Sequence, residues 1–393
     1  MALGEIVTAT VERIVAGGAG MARVRGKSVF IHLTAPGDLV TGKISREHRD
    51  FAWAELLDIR SPSPERIAPP CPFYGSCGGC SLQHLPYEVQ VREKTALLEE
   101  AFRRIGGFSS LPAIRVRRSA PYEYRNRMRF HPRPRRGFYS GPDSRGDLGL
   151  MARRSGEIIP LSDCPIADPL IRRFLSAPPG LPPGGAPRGG LTVYGRGDLL
   201  VYQGGPSRGT VRFLGRDIRM DAGLFFQSNG GALEALIADL LRLARGADRD
   251  LPAADLYCGV GTFACFLRDI FPRIDLVEEN RAALDLAREN LPEGNCRFFP
   301  LSCDRWVREA GGPYGFMTAD PPRQGLSADL RAYLAERGPP VLAYISCDPA
   351  TLARDSRELC RGGYALEERY FYDFYPQTPH IESLAVFRRG APS

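Results

Sequence analysis

From about residue 225 onward the chain repeats one pattern, and that pattern leaves few folds open. Short apolar runs recur at residues 253–257, 274–277, 316–319 and 341–345, with helix-like stretches such as residues 282–290 between some of them. Ahead of these runs, Leu233, Leu236, Ile237, Leu240, Leu241 and Ala244 share one helical face, and Gly246 closes it. Strands alternating with helices predict a doubly wound α/β sheet. Ligands of such sheets sit outside the carboxyl ends of the strands, so chemistry is expected in the loops that follow the runs.

The upstream half reads differently. Residues 1–60 break into β-branched runs, such as Ile6-Val7-Thr8-Ala9-Thr10-Val11 and Ser28-Val29-Phe30-Ile31, separated by glycine turns. This predicts a small OB-like β barrel. Ser61-Pro62-Ser63-Pro64 marks a boundary. Residues 87–106 read as a helix with Leu97, Leu98, Ala101, Phe102 and Ile105 on one face, stopped by Gly106-Gly107 and packing on the α/β domain. Residues 115–222 look β-rich and irregular, with a Pro/Gly-rich loop at 178–190. Three domains are therefore expected: 1–60, a central β-rich 61–224, and 225–393. A length of 393 residues suits that number. No apolar run approaches the ~20 residues of a membrane helix. The start, Met1-Ala2-Leu3-Gly4-Glu5-Ile6, has no basic segment before an apolar one, so a cytoplasmic protein is expected.

The formal charge of +7 is a mild bias towards polyanions, and its distribution says more. Residues 115–136 hold nine arginines against one acid, Glu123, interleaved with Tyr122, Tyr124 and Phe130 and followed by Phe138 and Tyr139. Guanidinium groups pair with phosphate and stack on bases, as aromatic rings do, which suits single-stranded RNA. A solvated basic face is the alternative.

Asp255-Leu256-Tyr257-Cys258-Gly259-Val260-Gly261-Thr262-Phe263 follows a strand and opens a helix. Gly259 and Gly261 allow a tight turn and close backbone approach to a ligand. About 20 residues on, Glu278 ends the next strand with a carboxylate able to hold both hydroxyls of a ribose. The third glycine of a dinucleotide site is Ala264 here, and the leading Asp-x-Tyr-Cys-Gly fits S-adenosylmethionine better. Asp304, after the following strand, could hold the adenine amino group.

Two more loops carry reactive groups: Ala319-Asp320-Pro321-Pro322-Arg323-Gln324-Gly325 and Ile345-Ser346-Cys347-Asp348-Pro349. Amino-methylating enzymes place an aromatic residue after the two prolines; Arg323 stands there instead and points to other chemistry. Carbon 5 of uracil is a poor nucleophile until a thiolate adds to carbon 6 and gives carbon 5 carbanion character. Cys347 can supply that thiolate, Asp320 can hold the uracil edge, and Glu382 in His380-Ile381-Glu382 can remove the carbon 5 proton. For Cys347 the competing reading is a buried small hydrophobe, and for Glu382 a surface acid.

Ten cysteines without a disulfide-like distribution point to metal binding or catalysis. Cys71-x5-Cys77-x2-Cys80, with Cys164 as a remote fourth ligand, suits an iron–sulfur cluster or a tetrahedral zinc, and spacing does not separate the two. The Cys-x3-Cys-x2-Cys signature of radical enzymes is absent. Cys258, Cys265, Cys296, Cys303 and Cys360 read as core or incidental.

Taken together, Phe225-Phe226-Gln227-Ser228-Asn229, the 255–263 loop, Asp320-Pro321-Pro322-Arg323, Ser346-Cys347-Asp348-Pro349 and His380-Ile381-Glu382 resemble, in order, the motifs of the RNA 5-methyluridine methyltransferases. The resemblance spans nearly the whole chain. It implies a Rossmann-like domain, with Gln227, Tyr257, Gly259, Gly261, Thr262, Glu278, Asp304 and Asp320 contacting S-adenosylmethionine or lining its pocket, Cys347 as nucleophile and Glu382 as base. It also implies that residues 1–60 are a TRAM domain, that Cys71, Cys77, Cys80 and Cys164 hold a 4Fe–4S cluster, and that the enzyme is a monomer. Similar members with barrel and cluster often modify 23S rRNA. Transfer RNA as substrate, cytosine as the base, and a non-catalytic ribosome-assembly factor are the alternatives. Thr262 stands where some members have asparagine, and Gln324 where a lysine or arginine is common.

Overall fold

The computed structural model describes residues 1–132, 148–153, 155–177, 190–292, 294–309 and 312–390. Phe138, Tyr139 and the last arginines of the basic stretch lie outside the described residues, as does nearly all of the loop at 178–190.

Five strands, β1 (Ile6–Ile14), β2 (Ala19–Val24), β3 (Lys27–His32), β4 (Leu39–Glu47) and β5 (Phe51–Ser61), close into a barrel in the order β1-β2-β3-β5-β4. Alternation puts Val7, Val11, Val29, Ile31, Val40 and Ile44 inside it. Gly20 is required by that packing, since a Cβ there would lie 2.1 Å from Thr34 Oγ1. Buried Asp38 accepts the Ala35 N–H at 2.6 Å and the Ser63 N–H at 2.8 Å, and pairs with Arg66 at 2.7 Å. The segment leaving the barrel is thus tied back onto it.

Helix α1 (Tyr87–Arg104) leads to strand β6 (Ile114–Arg117). A second sheet follows, built from β7 (Arg127–Pro132), β8 (Leu148–Met151), β9 (Ile158–Pro160), helix α2 (Pro169–Ser176), β10 (Leu191–Arg196) and β11 (Leu199–Tyr202), in strand order β11-β10-β7-β8-β9. The hairpin β12 (Arg208–Phe213) and β13 (Arg216–Asp221) then precedes helix α3 (Gly230–Arg245).

The α/β unit runs β14 (Ala253–Leu256), α4 (Ala264–Leu267), β15 (Ile274–Val277), α5 (Arg281–Asn290), β16 (Cys296–Phe299), α6 (Cys303–Glu309), β17 (Phe316–Ala319), α7 (Ala328–Arg337), β18 (Val341–Ser346), α8 (Pro349–Arg361), β19 (Ala365–Tyr372) and β20 (Glu382–Arg388). Its sheet has eight strands in the order β16-β15-β14-β17-β18-β20-β19-β6. β14 to β18 pair in parallel, and every residue of β14, β15, β17 and β18 is buried. Continuous apolar runs are what a sheet covered on both faces requires. Asn229, Asn280, Ser327 and Asp348 cap α3, α5, α7 and α8, each accepting backbone N–H groups of the first turn.

The eighth strand, β6, precedes residue 225 by more than a hundred positions and pairs in parallel with β19. Helix α1 also lies on this unit. Its Val91, Leu98 and Phe102 join the core formed with Leu352, Phe371 and Phe387. The expected face differs at one end: Ile105 is the C-cap and is 41% exposed. A lysine at the middle of the buried face is unexpected. Lys94, 1% exposed, donates to Asp373 at 2.8 Å and to the Tyr375 carbonyl at 2.9 Å.

Removing one partner of such a pair leaves a buried charge uncompensated, at a cost of about 3–5 kcal/mol. Lys94→Ala is expected to lower the unfolding free energy by that order in denaturant titrations. The double variant Lys94→Met, Asp373→Leu should recover most of the loss.

Candidate active site

The loops after β14, β15, β16, β17 and β18 meet at one edge of the sheet and surround a cavity of about 810 Å³. Tyr257, Gly259, Glu278, Asp304, Asp320, Cys347 and Glu382 all line it, as does Gln227 from the segment before α3. Gly261 and Thr262 do not. Gly261 turns at φ +78°, where a Cβ would meet Ala287 at 3.2 Å, so it serves the close approach of the loop to α5.

One end of the cavity is built by the first two loops. Tyr257 adopts a positive φ of 61°, which lifts it from the end of β14 into the cavity wall. Glu278 follows β15, and its two oxygens accept the Gly259 N–H at 3.1 Å and the Asn280 N–H at 2.7 Å. These bonds fix the carboxylate while leaving further lone pairs for a ligand. Asp304 lies in the first turn of α6 and accepts the Ser327 hydroxyl. Its oxygens are therefore partly committed to holding α6 against the cap of α7.

The other end is unusually acidic. Asp255, in β14 beside this end, is 1% exposed, accepts from Thr318 at 2.6 Å and from the Ala264 N–H at 3.2 Å, and burial pushes its carboxyl up to about 7. Burial and the neighbouring Asp255 likewise push Asp320 up to about 7. Glu382, 4% exposed, is raised well above the usual range by burial and by Asp320. Gln227 Nε2 reaches Asp320 at 3.5 Å. Glu382 is the first residue of β20, just after the hairpin loop, which sets it at the same sheet edge as Cys347.

Cys347 is the single residue between the end of β18 and Asp348, the cap of α8. Burial, Glu382 and Asp320 together raise its thiol to about 11, opposed by Arg323. It lines two cavities at once. The second, of about 930 Å³, runs from Cys347, Arg323 and His380 past α1 to Phe30 and Trp53 of the barrel. Those two rings lie 5.2 Å apart, centroid to centroid.

Several lining residues escaped the sequence reading as site residues. Arg125 and Arg127 form a wall of the first cavity, and Tyr375 packs edge-on against His380 at 5.6 Å. The arginines had a signal, since they belong to the basic stretch. Tyr375 had none, because its position depends on how the β19–β20 loop folds.

The four cysteines of the upstream cluster gather at a different place, beside β8 and α2. All are free thiols; Cys164 is buried and the others half-buried. Cys77 feels Cys71, Cys80 feels Cys164 and Cys77, and Cys164 feels Cys77 and Cys71; in each case burial is the first cause that raises the thiol and the neighbouring sulfurs add to it. Among the described residues, no three His, Cys, Asp or Glu side chains are arranged to hold a metal ion.

A family model described as tRNA (Uracil-5-)-methyltransferase matches residues 313–389, and a TRAM domain model matches residues 2–57. The chain is 32% identical to an uncharacterized RNA methyltransferase of Treponema denticola over 93% of this chain and 94% of that protein. It is 31% identical to the 23S rRNA (uracil(1939)-C(5))-methyltransferase RlmD of Alkalilimnicola ehrlichii over 95% and 94%. The crystal structure of Pyrococcus abyssi tRNA (uracil-54, C5)-methyltransferase with S-adenosyl-L-homocysteine superposes with a TM-score of 0.71, covering 97% of this chain and 100% of that one at 21% identity. That likeness establishes a shared fold.

A carboxyl raised in the folded state binds its proton more tightly than in the unfolded chain, so stability is lost as pH rises from the ordinary Asp value through about 7. Asp320→Asn removes this dependence. It should melt at a higher temperature than the parent at about pH 8, with the gap closing towards about pH 4 in calorimetric scans. A pH-independent gap would exclude titration of Asp320 as its source.

Proposed function

Because the chain belongs to the S-adenosylmethionine-dependent RNA uracil-5-methyltransferases, we propose that it methylates carbon 5 of a uridine in 23S rRNA through a covalent bond between Cys347 and carbon 6. The observation that carries this reading is the meeting of Cys347, Asp320 and Glu382 on one cavity, with Cys347 also opening onto the groove that leads to the barrel. The ribosomal substrate is supported by the length over which the chain matches the 23S rRNA enzyme.

Glu278 would hold the ribose of S-adenosylmethionine, Asp304 its adenine amino group, and Gln227, Tyr257, Gly259 and Asp320 would line its pocket. The cofactor supplies an electrophilic methyl group. The Cys347 thiol gives its proton to solvent, the thiolate adds to carbon 6 of the uracil, and the electron pair of the 5,6 double bond moves towards carbon 5 and the carbonyl at carbon 4. Carbon 5 takes the methyl group. Glu382 then removes the carbon 5 proton, the double bond re-forms, and the carbon–sulfur bond breaks to release the thiolate. A carboxyl with a raised pKa is a strong enough base for that proton. Asp320, raised in the same way, can donate to a uracil carbonyl when protonated or accept from the ring N–H when ionised.

The four upstream thiols would hold a 4Fe–4S cluster, which joins Cys164 of the central segment to the 71–80 loop. What supports this is the collection of four reduced, partly or wholly buried cysteines around one another.

Cys347→Ala is expected to abolish methyl transfer from labelled S-adenosylmethionine. Glu382→Gln should slow it by roughly 10²–10⁴-fold and accumulate an RNA–protein adduct that survives denaturing electrophoresis. Nucleoside mapping in a strain lacking the protein decides the substrate: loss of 5-methyluridine from 23S rRNA is the expected result, and loss from transfer RNA alone would overturn the ribosomal assignment. An anaerobic preparation should be brown and contain iron and acid-labile sulfide, and Cys80→Ala should remove the colour. A colourless zinc protein would sink the cluster.

A further inference from the structure

A third cavity, of about 400 Å³, opens on the far side of the segment that walls the catalytic one. Arg125 and Arg127 face the catalytic cavity, while Asn126 between them lines the third. Its floor is the N-terminus of α3, where Asn229, Gly230 and Gly231 lie. Arg118 and Arg196 stand at its sides.

The donors around this cavity are left over. The Asn126 side chain is 2% exposed, and neither its Nδ2 nor its Oδ1 has a partner among the described residues. Its backbone is fully used, with N–H to the Ser228 carbonyl and its carbonyl accepting from Gly195, both at 2.9 Å. A buried amide with nothing to bond costs about 1–3 kcal/mol, so such a group in a polar cavity points to something that completes it. Arg196 gives Nη2 to Glu234 at 2.7 Å, and its buried Nη1 has no partner. In α3, a helix of 16 residues, the Asn229 side chain caps only the Ala232 N–H, at 3.1 Å. The Gly231 N–H group has no acceptor among the described residues, whereas the Gly230 N–H faces the Tyr124 carbonyl across the Arg125–Asn229 bridge. A Cβ at Gly230 would fall 2.3 Å from Arg196 Nη1, so glycine there lets the guanidinium lie against the first turn.

One amide N–H group at a helix start, a carboxamide N–H and a guanidinium N–H lie along one cavity, and that set fits the oxygens of a phosphate. The lining charges decide which phosphate. Arg118 is paired with Glu88, Arg196 with Glu234 and Glu123 with Arg172, while Asp168 caps α2 through the Leu170 N–H. The lining arginines are thus already paired, and the positive end of α3 is what is left for an anion. A singly charged phosphodiester suits that balance better than doubly charged inorganic phosphate. Gln227, on the catalytic cavity, is three residues from Gly230, so the two sites are at most about 11 Å apart along the backbone.

We propose that this cavity binds a backbone phosphodiester of the same RNA strand that presents the target uridine. The proposal rests on RNA being the substrate. Holding a phosphate behind the wall of the catalytic cavity would fix the strand's direction and register as the base enters.

The test measures RNA affinity against salt for the full chain, using an RNA hairpin that the wild-type protein methylates. Each phosphate contact to a single strand contributes about 0.7 to the slope of log affinity on log salt. Asn126→Leu, close in size and without donors, and the exposed Arg118→Ala should each weaken binding about three- to tenfold. Arg118→Ala should also lower the slope by about 0.7, while S-adenosylmethionine affinity stays unchanged in both. A single uncharged methylphosphonate placed along the RNA should weaken wild-type binding at one position near the target, and that position should lose its effect in Asn126→Leu. Unchanged affinity and slope in both variants, with methylation intact, would overturn the proposal and leave a water-filled cavity. Stabilisation by inorganic phosphate that Asn126→Leu abolishes, with no position-specific methylphosphonate effect, would overturn it in favour of a free-anion site. Absence of methylation of any RNA by the wild-type protein would instead remove the reading on which the proposal stands.

Discussion

The catalytic geometry depends on the register between two antiparallel strands. β20 enters the sheet between β18 and β19, and its pairing with β18 runs from Val341 opposite Arg388 to Ser346 opposite Ser383. The Ser383 hydroxyl donates to the Ser346 carbonyl at 3.1 Å and pins the end of the ladder. One step further in the same series brings Cys347 opposite Glu382. A slip of one residue would turn Glu382 to the other face of the sheet and remove it from the cavity. The parallel strands supply a cofactor edge common to many enzymes; this one antiparallel insertion brings a carboxyl to the thiol.

The same placement sets the electrostatics. Asp255, Asp320 and Glu382 crowd a low-dielectric region in which few cations answer them, and each is raised by burial before anything else. Burial first, then Glu382 and Asp320, raise the Cys347 thiol to about 11 despite its position ahead of the α8 N-terminus.

Much of this was legible in the residues. The parallel sheet followed from the period of its apolar runs, and the loops bearing Glu278, Asp320 and Cys347 followed from strand ends. What stayed hidden depended on contacts distant in sequence. β6 reads as a short irregular strand, and nothing local says that Ile114–Arg117 pairs with β19. Lys94 looks like a surface residue of an amphipathic helix until Asp373 is placed beside it. Thr262 stands in a motif whose Gly259 lines the cavity, yet the tight turn at Gly261 carries it away from that cavity. The unpaired Asn126 amide is visible only once its backbone partners are known.

These distant contacts also explain how a barrel at the start of the chain can bear on a thiol near its end. Arg13 of β1 pairs with Glu100, and the Ile14 N–H donates to Glu93 at 3.1 Å, so the barrel is fastened to α1. α1 is fastened in turn to the β19–β20 loop through Lys94, and through Gln90, whose side chain exchanges hydrogen bonds with Gln377 at 2.8 and 2.9 Å. That loop leads directly into Glu382. The barrel, α1 and the reactive pair therefore form one frame without a slack linker between them. A base positioned by contacts on the barrel side would meet Cys347 at a fixed distance, and a fixed near-attack geometry is where much of the rate of a two-substrate reaction originates.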